Sequence, residues 1–317
     1  MNSHPILVVG SSNTDMIIRL DRIPQPGETI LGGEFAIAAG GKGANQAVAA
    51  ARAGGRVTFI ARVGRDMFGD QAIAGFRKDR IDVRYIVRDS TTPSGVALIF
   101  VAKDGENSIA VAGGANARLT PANVKKARQA ITSAALLILQ LETPLETVKA
   151  AAHLAAQAGA SIILNPAPAR PLPDSLLKHV SILTPNEHEA EVLTGIKVKN
   201  EAAASKAAAA LRARGVQTVI ITLGARGAFM ADQDRMQMVS GFKVQAVDTT
   251  AAGDVFNGTL AVSLAEGQEL TRAVRFANAA AAISVTRMGA QLSAPTRREI
   301  DRFVNKHMTY NDEGVIR

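Results

Sequence analysis

From residue 120 onward the chain alternates short apolar runs with helix-length patterns, and that rhythm leaves few folds open. Residues 134–140, 161–165, 181–184 and 216–223 read as strands, while 148–158, 202–214 and 270–285 read as helices. Such alternation implies an α/β fold, a mostly parallel sheet with helices on both faces. Ligands of these sheets sit beyond the carboxyl ends of the strands. The polar or glycine-rich segments after strands are Asn13/Asp15, Gln140/Glu142, Asn165, Asn186, Gly224/Gly227 and 248–254, and they are expected to converge on one edge.

The first third of the chain departs from this rhythm. A strand at 6–10 ends in Gly10-Ser11-Ser12-Asn13-Thr14-Asp15, and 16–20 and 29–37 read as strands around a Pro24/Pro26/Gly27 turn. Gly40-Gly41-Lys42-Gly43-Ala44-Asn45 then leads into a helix at 46–53, followed by a strand at 57–63 and a helix at 69–79. Residues 94–101 and 108–112 form a hairpin pattern around Lys103-Asp104-Gly105-Glu106. The extra strands, 14–38 and 92–112, are expected to form a small β-sheet standing off the main domain as a lid. That leaves 1–13, 39–91 and 113–308 as the α/β domain and the polar 309–317 as a tail. Thr120-Pro121, Thr143-Pro144-Leu145-Glu146 and Thr184-Pro185-Asn186-Glu187 each carry helix-start signals, the second with capping-box spacing.

Composition removes several kinds of chemistry. The 317 residues include no cysteine, which excludes disulfides, thiolate nucleophiles and cysteine metal sites and suits a reducing, cytoplasmic setting. The five histidines show no metal-ligand spacing. Apolar runs such as 134–139 are far too short to span a membrane. A net charge of +8 raises the question of nucleic acid, but the basic residues are dispersed and aromatics are only 4%, so a nucleic-acid partner is not expected. No Walker A loop, Rossmann glycine fingerprint or nucleophile elbow occurs.

The chemistry points instead to one stretch, Val247-Asp248-Thr249-Thr250-Ala251-Ala252-Gly253-Asp254-Val255-Phe256-Asn257-Gly258. The alternating run 242–247 before it reads as a strand, and 255–265 after it as an apolar helix. Small residues at a helix start leave free N–H groups for an anion. Asp254 sits in that nest, where it serves either as an acid stabilising the helix start, the more frequent use, or as a general base beside a transferring phosphoryl group. Asn13, Asp15, Asn45 and Glu142 suit a polyhydroxylated ligand, although each equally suits turn or cap duty. Gly40-Gly41 lets backbone approach a ligand, and 222–227 can wrap phosphates with N–H groups or serve as an ordinary loop. Glu189 either holds Mg²⁺ through water or lies on a solvated helix face.

With these residues in view, the sequence resembles the phosphofructokinase-B type of carbohydrate kinases from Gly10 to about Phe303. The resemblance is most specific in Gly40-Gly41-Lys42-Gly43-Ala44-Asn45-Gln46-Ala47, Asn165-Pro166-Ala167-Pro168-Ala169-Arg170, Thr184-Pro185-Asn186-Glu187 and Asp248-Thr249-Thr250-Ala251-Ala252-Gly253-Asp254. The family at large has glycine where Ala251 stands, whereas its ribose-phosphorylating branch looks like this sequence.

The resemblance implies transfer of the ATP γ-phosphoryl group to the 5-hydroxyl of D-ribose, with Asp254 as base and the amides of Ala251, Ala252, Gly253 and Asp254 as anion hole. It further implies sugar contacts from Asn13, Asp15, Gly41, Lys42, Asn45 and Glu142. Nucleotide contacts would come from Asn186, Thr222, Gly224, Ala225, Gly227, Gly253 and Asn278, the last replacing a histidine of some relatives. A K⁺ activator is implied at Asp248, Thr250, Ser284, Arg287, Gly289 and Ser293, several through backbone carbonyls, and a homodimer through the lids. The rival readings are a kinase for deoxyribose or fructose, and a non-catalytic sugar or nucleotide sensor on the same fold.

Overall fold

The computed structural model describes residues 4–307; the expected tail from 309 lies outside the described residues. Among the described residues thirteen strands run in chain order as β1 (Pro5–Val9), β2 (Asn13–Leu20), β3 (Glu34–Gly40), β4 (Arg56–Gly64), β5 (Ile86–Asp89), β6 (Gly95–Ala102) and β7 (Asn107–Ala112). They continue as β8 (Leu136–Leu139), β9 (Ser161–Leu164), β10 (Ile182–Leu183), β11 (Thr218–Thr222), β12 (Gly227–Ala231) and β13 (Met236–Ser240). Nine form one sheet in the order β13-β12-β11-β10-β9-β8-β1-β4-β5. It is parallel from β11 to β5 and antiparallel at the β11–β12 and β12–β13 edge.

Uninterrupted apolar runs such as Ile6-Leu7-Val8-Val9 and Leu136-Leu137-Ile138-Leu139 are what a sheet covered on both faces requires. Because successive side chains alternate, Leu7, Val9, Leu137 and Leu139 enter one core, with the helices Leu145–Gln157 and Glu201–Ala213. Ile6, Val8, Leu136 and Ile138 enter the other, with the helices Lys42–Arg52, Ala252–Ala265 and Leu270–Ser284. Each such side chain contributes about 1.5–3 kcal/mol by burial, so the two hydrophobic layers hold the sheet between its helices.

The remaining strands form a separate four-stranded sheet, β3-β2-β6-β7. Its β6–β7 hairpin turns where the sequence predicts it. Phe35, Ile37, Leu98, Ile109 and Val111 are exposed on this sheet, with Phe35 at 63%. The sheet is rooted at the carboxyl edge of the large one, since β2 starts four residues after β1 ends and β3 passes through Gly40-Gly41 into the helix Lys42–Arg52.

Several local expectations fail for identifiable reasons. Residues 242–247 form no strand; the N–H groups of Val247 and Asp248 donate to the Val285 carbonyl, at 2.7 and 3.1 Å, and not to a neighbouring strand. The strand expected at 29–37 begins only at Glu34, because Gly32 and Gly33 turn the backbone to φ of 106° and 98°. The helix at Leu145 has Pro144 at its N-cap in place of the expected capping box. Glu146 pairs with Lys149 at 2.8 Å, and the buried Thr143 hydroxyl has no hydrogen-bond partner among the described residues. β5, β12 and β13 carry no strand pattern of their own and are short strands whose pairing comes from tertiary contact. Among the described residues no helix is long and apolar enough to cross a membrane.

Candidate active site

The helix Ala252–Ala265 starts at the carboxyl edge of the large sheet, and its N-cap Ala251 takes the left-handed conformation, φ 60° and ψ 11°. An alanine there costs of order 1 kcal/mol; the Ala252 N–H donates to the Thr249 carbonyl at 3.2 Å, and among the described residues the N–H groups of Ala251, Gly253 and Asp254 have no backbone partner, which leaves them for an anion. Ala251 and Ala252 are half-buried and Gly253 is exposed, whereas Asp254 is buried at 5% exposure. Asp254 accepts from Asn45 Nδ2 on one oxygen and from Gln46 Nε2 on the other, both at 2.9 Å.

The helix Lys42–Arg52 can bring these amides so close because Gly258 faces it. A Cβ at Gly258 would lie 2.5 Å from the Gln46 carbonyl oxygen. Gly41, at φ 88°, lets the start of the same helix fold back on β2; a side chain there would meet the Asn13 amide at 2.6 Å.

The groups expected to contact a sugar gather at this start. Glu142 accepts from the Ser11 hydroxyl at 2.6 Å and from the Lys42 N–H at 3.0 Å, so a carboxylate from the end of β8 caps a helix from elsewhere in the chain. Asn13 and Asp15 are two apart on β2 and share a face. Asn116 accepts from the Ser12 N–H at 2.9 Å and donates to Asn13 Oδ1 at 2.7 Å, which turns the Asn13 NH₂ group away from Asn116.

Electrostatics tie these groups together. Burial, with Glu142 and Asp254 adding repulsion, pushes the Asp15 carboxyl up to about 6. Burial also raises Asp254 above the ordinary carboxylate range, against the opposing pull of Lys42, Asn45 and Gln46. Burial alone would lower the Lys42 ammonium, but Asp254, Glu142 and Glu189 outweigh it and hold the group above its usual value.

Beside Asp254 lies a cavity of about 160 Å³ lined by Lys42, Asn186, Glu189, Thr222, Ala251, Ala252, Gly253 and Asp254, among others. Asn186 and Glu189 form a reciprocal capping box, the Asn186 N–H donating to Glu189 at 2.8 Å and the Glu189 N–H to Asn186 at 2.8 Å. Burial pushes the Glu189 carboxyl up, while the Asn186 amide and Lys42 resist. Gly224 and Ala225 lie in an exposed turn at the end of β11, and Gly227 opens β12. Asn278 lies outside this cavity and donates to the carbonyls of Val239 and Ser240 at 3.1 and 3.3 Å, anchoring β13.

The residues expected around a monovalent cation occupy two interlocked loops. Asp248 accepts from the N–H groups of Thr250 at 2.9 Å and Gly289 at 2.8 Å; burial works against its ionisation, but these bonds hold its carboxyl below the usual range. Ser284 and Arg287 form the turn after the helix Leu270–Ser284, the Arg287 guanidinium pairs with Glu299 at 2.6 Å, and Ser293 is fully buried. Among the described residues no cluster of three His, Cys, Asp or Glu side chains is placed to hold a metal. The Asp248 carboxylate is the kind of donor a monovalent cation would take, and Glu189, buried beside the cavity, is the kind that would hold Mg²⁺ through its waters.

The sequence reading overlooks Gln46, Asn116, Ser11 and Asn257, which touch the expected site residues. The available signal was their type, polar residues inside otherwise apolar or small-residue stretches next to the motifs.

A parallel sheet with a buried acid in a helix-start anion nest, flanked by a second sheet, defines a phosphoryl-transfer α/β enzyme. Residues 3–297 match the pfkB family of carbohydrate kinases, and the chain belongs to that family. A ribokinase of Haemophilus influenzae is 47% identical over 299 residues, covering 94% of this chain and 98% of the relative. A deoxyribokinase of Salmonella typhi is 38% identical, covering 97% of this chain and 99% of the relative. The structure of an Arabidopsis thaliana ribokinase complexed with ribose and ATP superposes with a TM-score of 0.91 at 32% identity, covering 97% of this chain and 100% of that one.

Proposed function

We propose that this chain phosphorylates D-ribose at O5 with ATP, giving D-ribose 5-phosphate and ADP. The observation that carries the reading is the buried Asp254, which feels the Glu142 carboxylate, acts on Asp15 in turn, and lines a cavity with Lys42 and residues 251–253. Asp254 takes the proton of the sugar hydroxyl as the oxygen attacks the γ-phosphorus. The bond from that phosphorus to the β–γ bridging oxygen breaks, and ADP leaves with its electron pair. The N–H groups of Ala251, Ala252, Gly253 and Asp254 stabilise charge on the transferring group, a term worth about 2.7–4 kcal/mol per well-placed donor.

Asn13, Asp15, Gly41, Lys42, Asn45 and Glu142 bind and orient the sugar in this reading. Asn186, Thr222, Gly224, Ala225, Gly227, Gly253 and Asn278 bind the nucleotide. Glu189 would hold Mg²⁺ through water, and the ion would supply charge neutralisation on the phosphates. Asp248, Thr250, Ser284, Arg287, Gly289 and Ser293 would hold K⁺, which would add a positive charge beside the loop that shapes the anion hole. The four-stranded sheet acts as a lid over the sugar, and its exposed apolar side chains, Phe35, Ile37 and Leu98 on one face and Ile109 and Val111 on the other, offer surface that pairs two copies into a homodimer. The absence of cysteine suits work in the cytoplasm.

The similarity to a deoxyribokinase keeps a second reading, 2-deoxyribose as substrate. ADP release measured with ribose, 2-deoxyribose, fructose and no sugar, in K⁺ and in Na⁺, separates them. Ribose in K⁺ is expected to be fastest. A faster rate with deoxyribose reassigns the substrate, ATP turnover indifferent to sugar rejects the kinase reading, and equal rates in both salts reject the cation site.

A further inference from the structure

Asp254 is held from behind by a circuit of primary amides that crosses three neighbouring strands. Gln46, fully buried, donates from Nε2 to Asp254 Oδ1 at 2.9 Å and to Asn165 Oδ1, beyond β9, at 3.2 Å. Its Oε1 accepts from Gln140 Nε2, beyond β8, at 2.6 Å. Asn165 Nδ2 donates to the Thr184 carbonyl beyond β10 at 3.1 Å, and the Thr184 hydroxyl donates to Asn257 Oδ1 at 2.6 Å. Asn257 Nδ2 returns to the Gly253 carbonyl at 2.8 Å, the peptide bond that precedes Asp254.

The circuit has one polarity. An ionised carboxylate only accepts, so Gln46 must turn its NH₂ to Asp254 and its oxygen to Gln140. Gln140 Oε1 is then buried with no partner among the described residues and lies against Gly10, where a Cβ would come within 2.1 Å of it. A protonated Asp254 donating toward Gln46 would require both glutamine amides to flip, which would turn the Gln46 oxygen toward the Asn165 oxygen. Such a mismatch leaves buried polar groups unpaired.

We propose that Gln46, oriented by Gln140 and Asn165, is a positioning residue that fixes the plane of the Asp254 carboxylate and keeps it ionised. Its one bond to Oδ1 leaves the second lone pair of that oxygen for the sugar hydroxyl. This rests on the kinase reading above for the role of Asp254. The other charged groups acting on Asp254 are Lys42 at the start of the facing helix and Glu142 beyond β8, while Asp15 on β2 and Glu189 in the helix Glu187–Thr194 feel its charge in turn. They are unchanged by substitution at 46, so a difference between variants reports the amide.

The test is Gln46→Met, similar in length and without the donor. The expected kcat falls by about 10- to 100-fold at pH 7, the scale of losing a hydrogen bond to a charged group. The acidic limb of the kcat profile moves to higher pH, and sugar KM changes by less than about threefold, as for an interaction made to the reacting group alone. A kcat loss with an unmoved acidic limb, or a KM that rises with unchanged kcat, overturns the proposal.

Thermal unfolding across the same pH range gives a reading that needs no turnover. The deficit of Gln46→Met against the unsubstituted chain should widen as pH rises, because its Asp254 is harder to ionise; a deficit constant with pH overturns the linkage. If Gln46→Met does not fold, Gln140→Met decides by the same criteria with a smaller shift in the same direction. An unsubstituted chain without sugar-dependent turnover would refute the kinase reading, and the unfolding slope would still decide the Gln46–Asp254 linkage.

Discussion

Asp15→Asn should make the ligand-free protein more stable while removing its grip on sugar. Among the described residues no hydrogen-bond donor reaches the Asp15 carboxylate, and burial with two neighbouring carboxylates raises it from 3.8 to about 6. A raised native value means that folding favours the protonated form. The stabilising contribution of that form is complete below 3.8 and lost as pH rises through about 6. At pH 8 the ionised group therefore costs about 3 kcal/mol, and at pH 5 about half of that. Asparagine keeps the shape without the charge, so the variant should recover these amounts. In a chain of this size that is a Tm gain of about 4–6 °C at pH 8 and about 2–3 °C at pH 5. Unfolding followed at both pH values, with and without ribose, tests it. The unsubstituted chain should gain Tm from ribose and the variant should not. An equal Tm gain at both pH values, or none at pH 8, would refute the electrostatic reasoning.

Asp254→Asn should keep the fold and sugar binding and lower kcat by about 10²–10⁴, the scale of losing a general base; a variant retaining most of its turnover removes Asp254 from the mechanism. Gly258→Ala places a Cβ 2.5 Å from the Gln46 carbonyl oxygen and 2.8 Å from Ala49 Cβ. It should cost about 1–3 kcal/mol in denaturant unfolding and lower kcat by parting Asn45 and Gln46 from Asp254; unchanged stability would show that the two helices separate freely. Leu98→Lys with Ile109→Glu, which charges both faces of the small sheet, should leave a monomer in sedimentation, and a chain already monomeric without these changes would remove the dimer from the proposal.

Much of the site is legible because its parts are short motifs at strand ends. Once the βα rhythm is recognised, Asn13, Gln140, Glu142, Asn165 and Asn186 fall at one edge whatever the details of packing. The nest at 251–254 is legible for the same reason, since small residues before an apolar helix leave N–H groups free. The run 242–247 misleads because alternation reports only that one side is apolar; whether a strand forms depends on a neighbour with free backbone groups. Here the Val285 carbonyl takes the N–H groups of Val247 and Asp248. β5, β12 and β13 are invisible for the converse reason, being held by partners and not by pattern.

The order of residues along this chain determined the fold class, the edge where the polar strand ends gather and the helix start that carries Asp254, because periodicity and helix-start chemistry are local properties. Tertiary structure alone decided the company Asp254 keeps. Asn45 and Gln46 lie 209 and 208 residues from it in sequence, and Gly258 admits them by lacking a side chain. Hydrogen-bond partners of a buried carboxylate are set by which elements pack, and packing depends on complementary volumes that no single stretch of sequence contains.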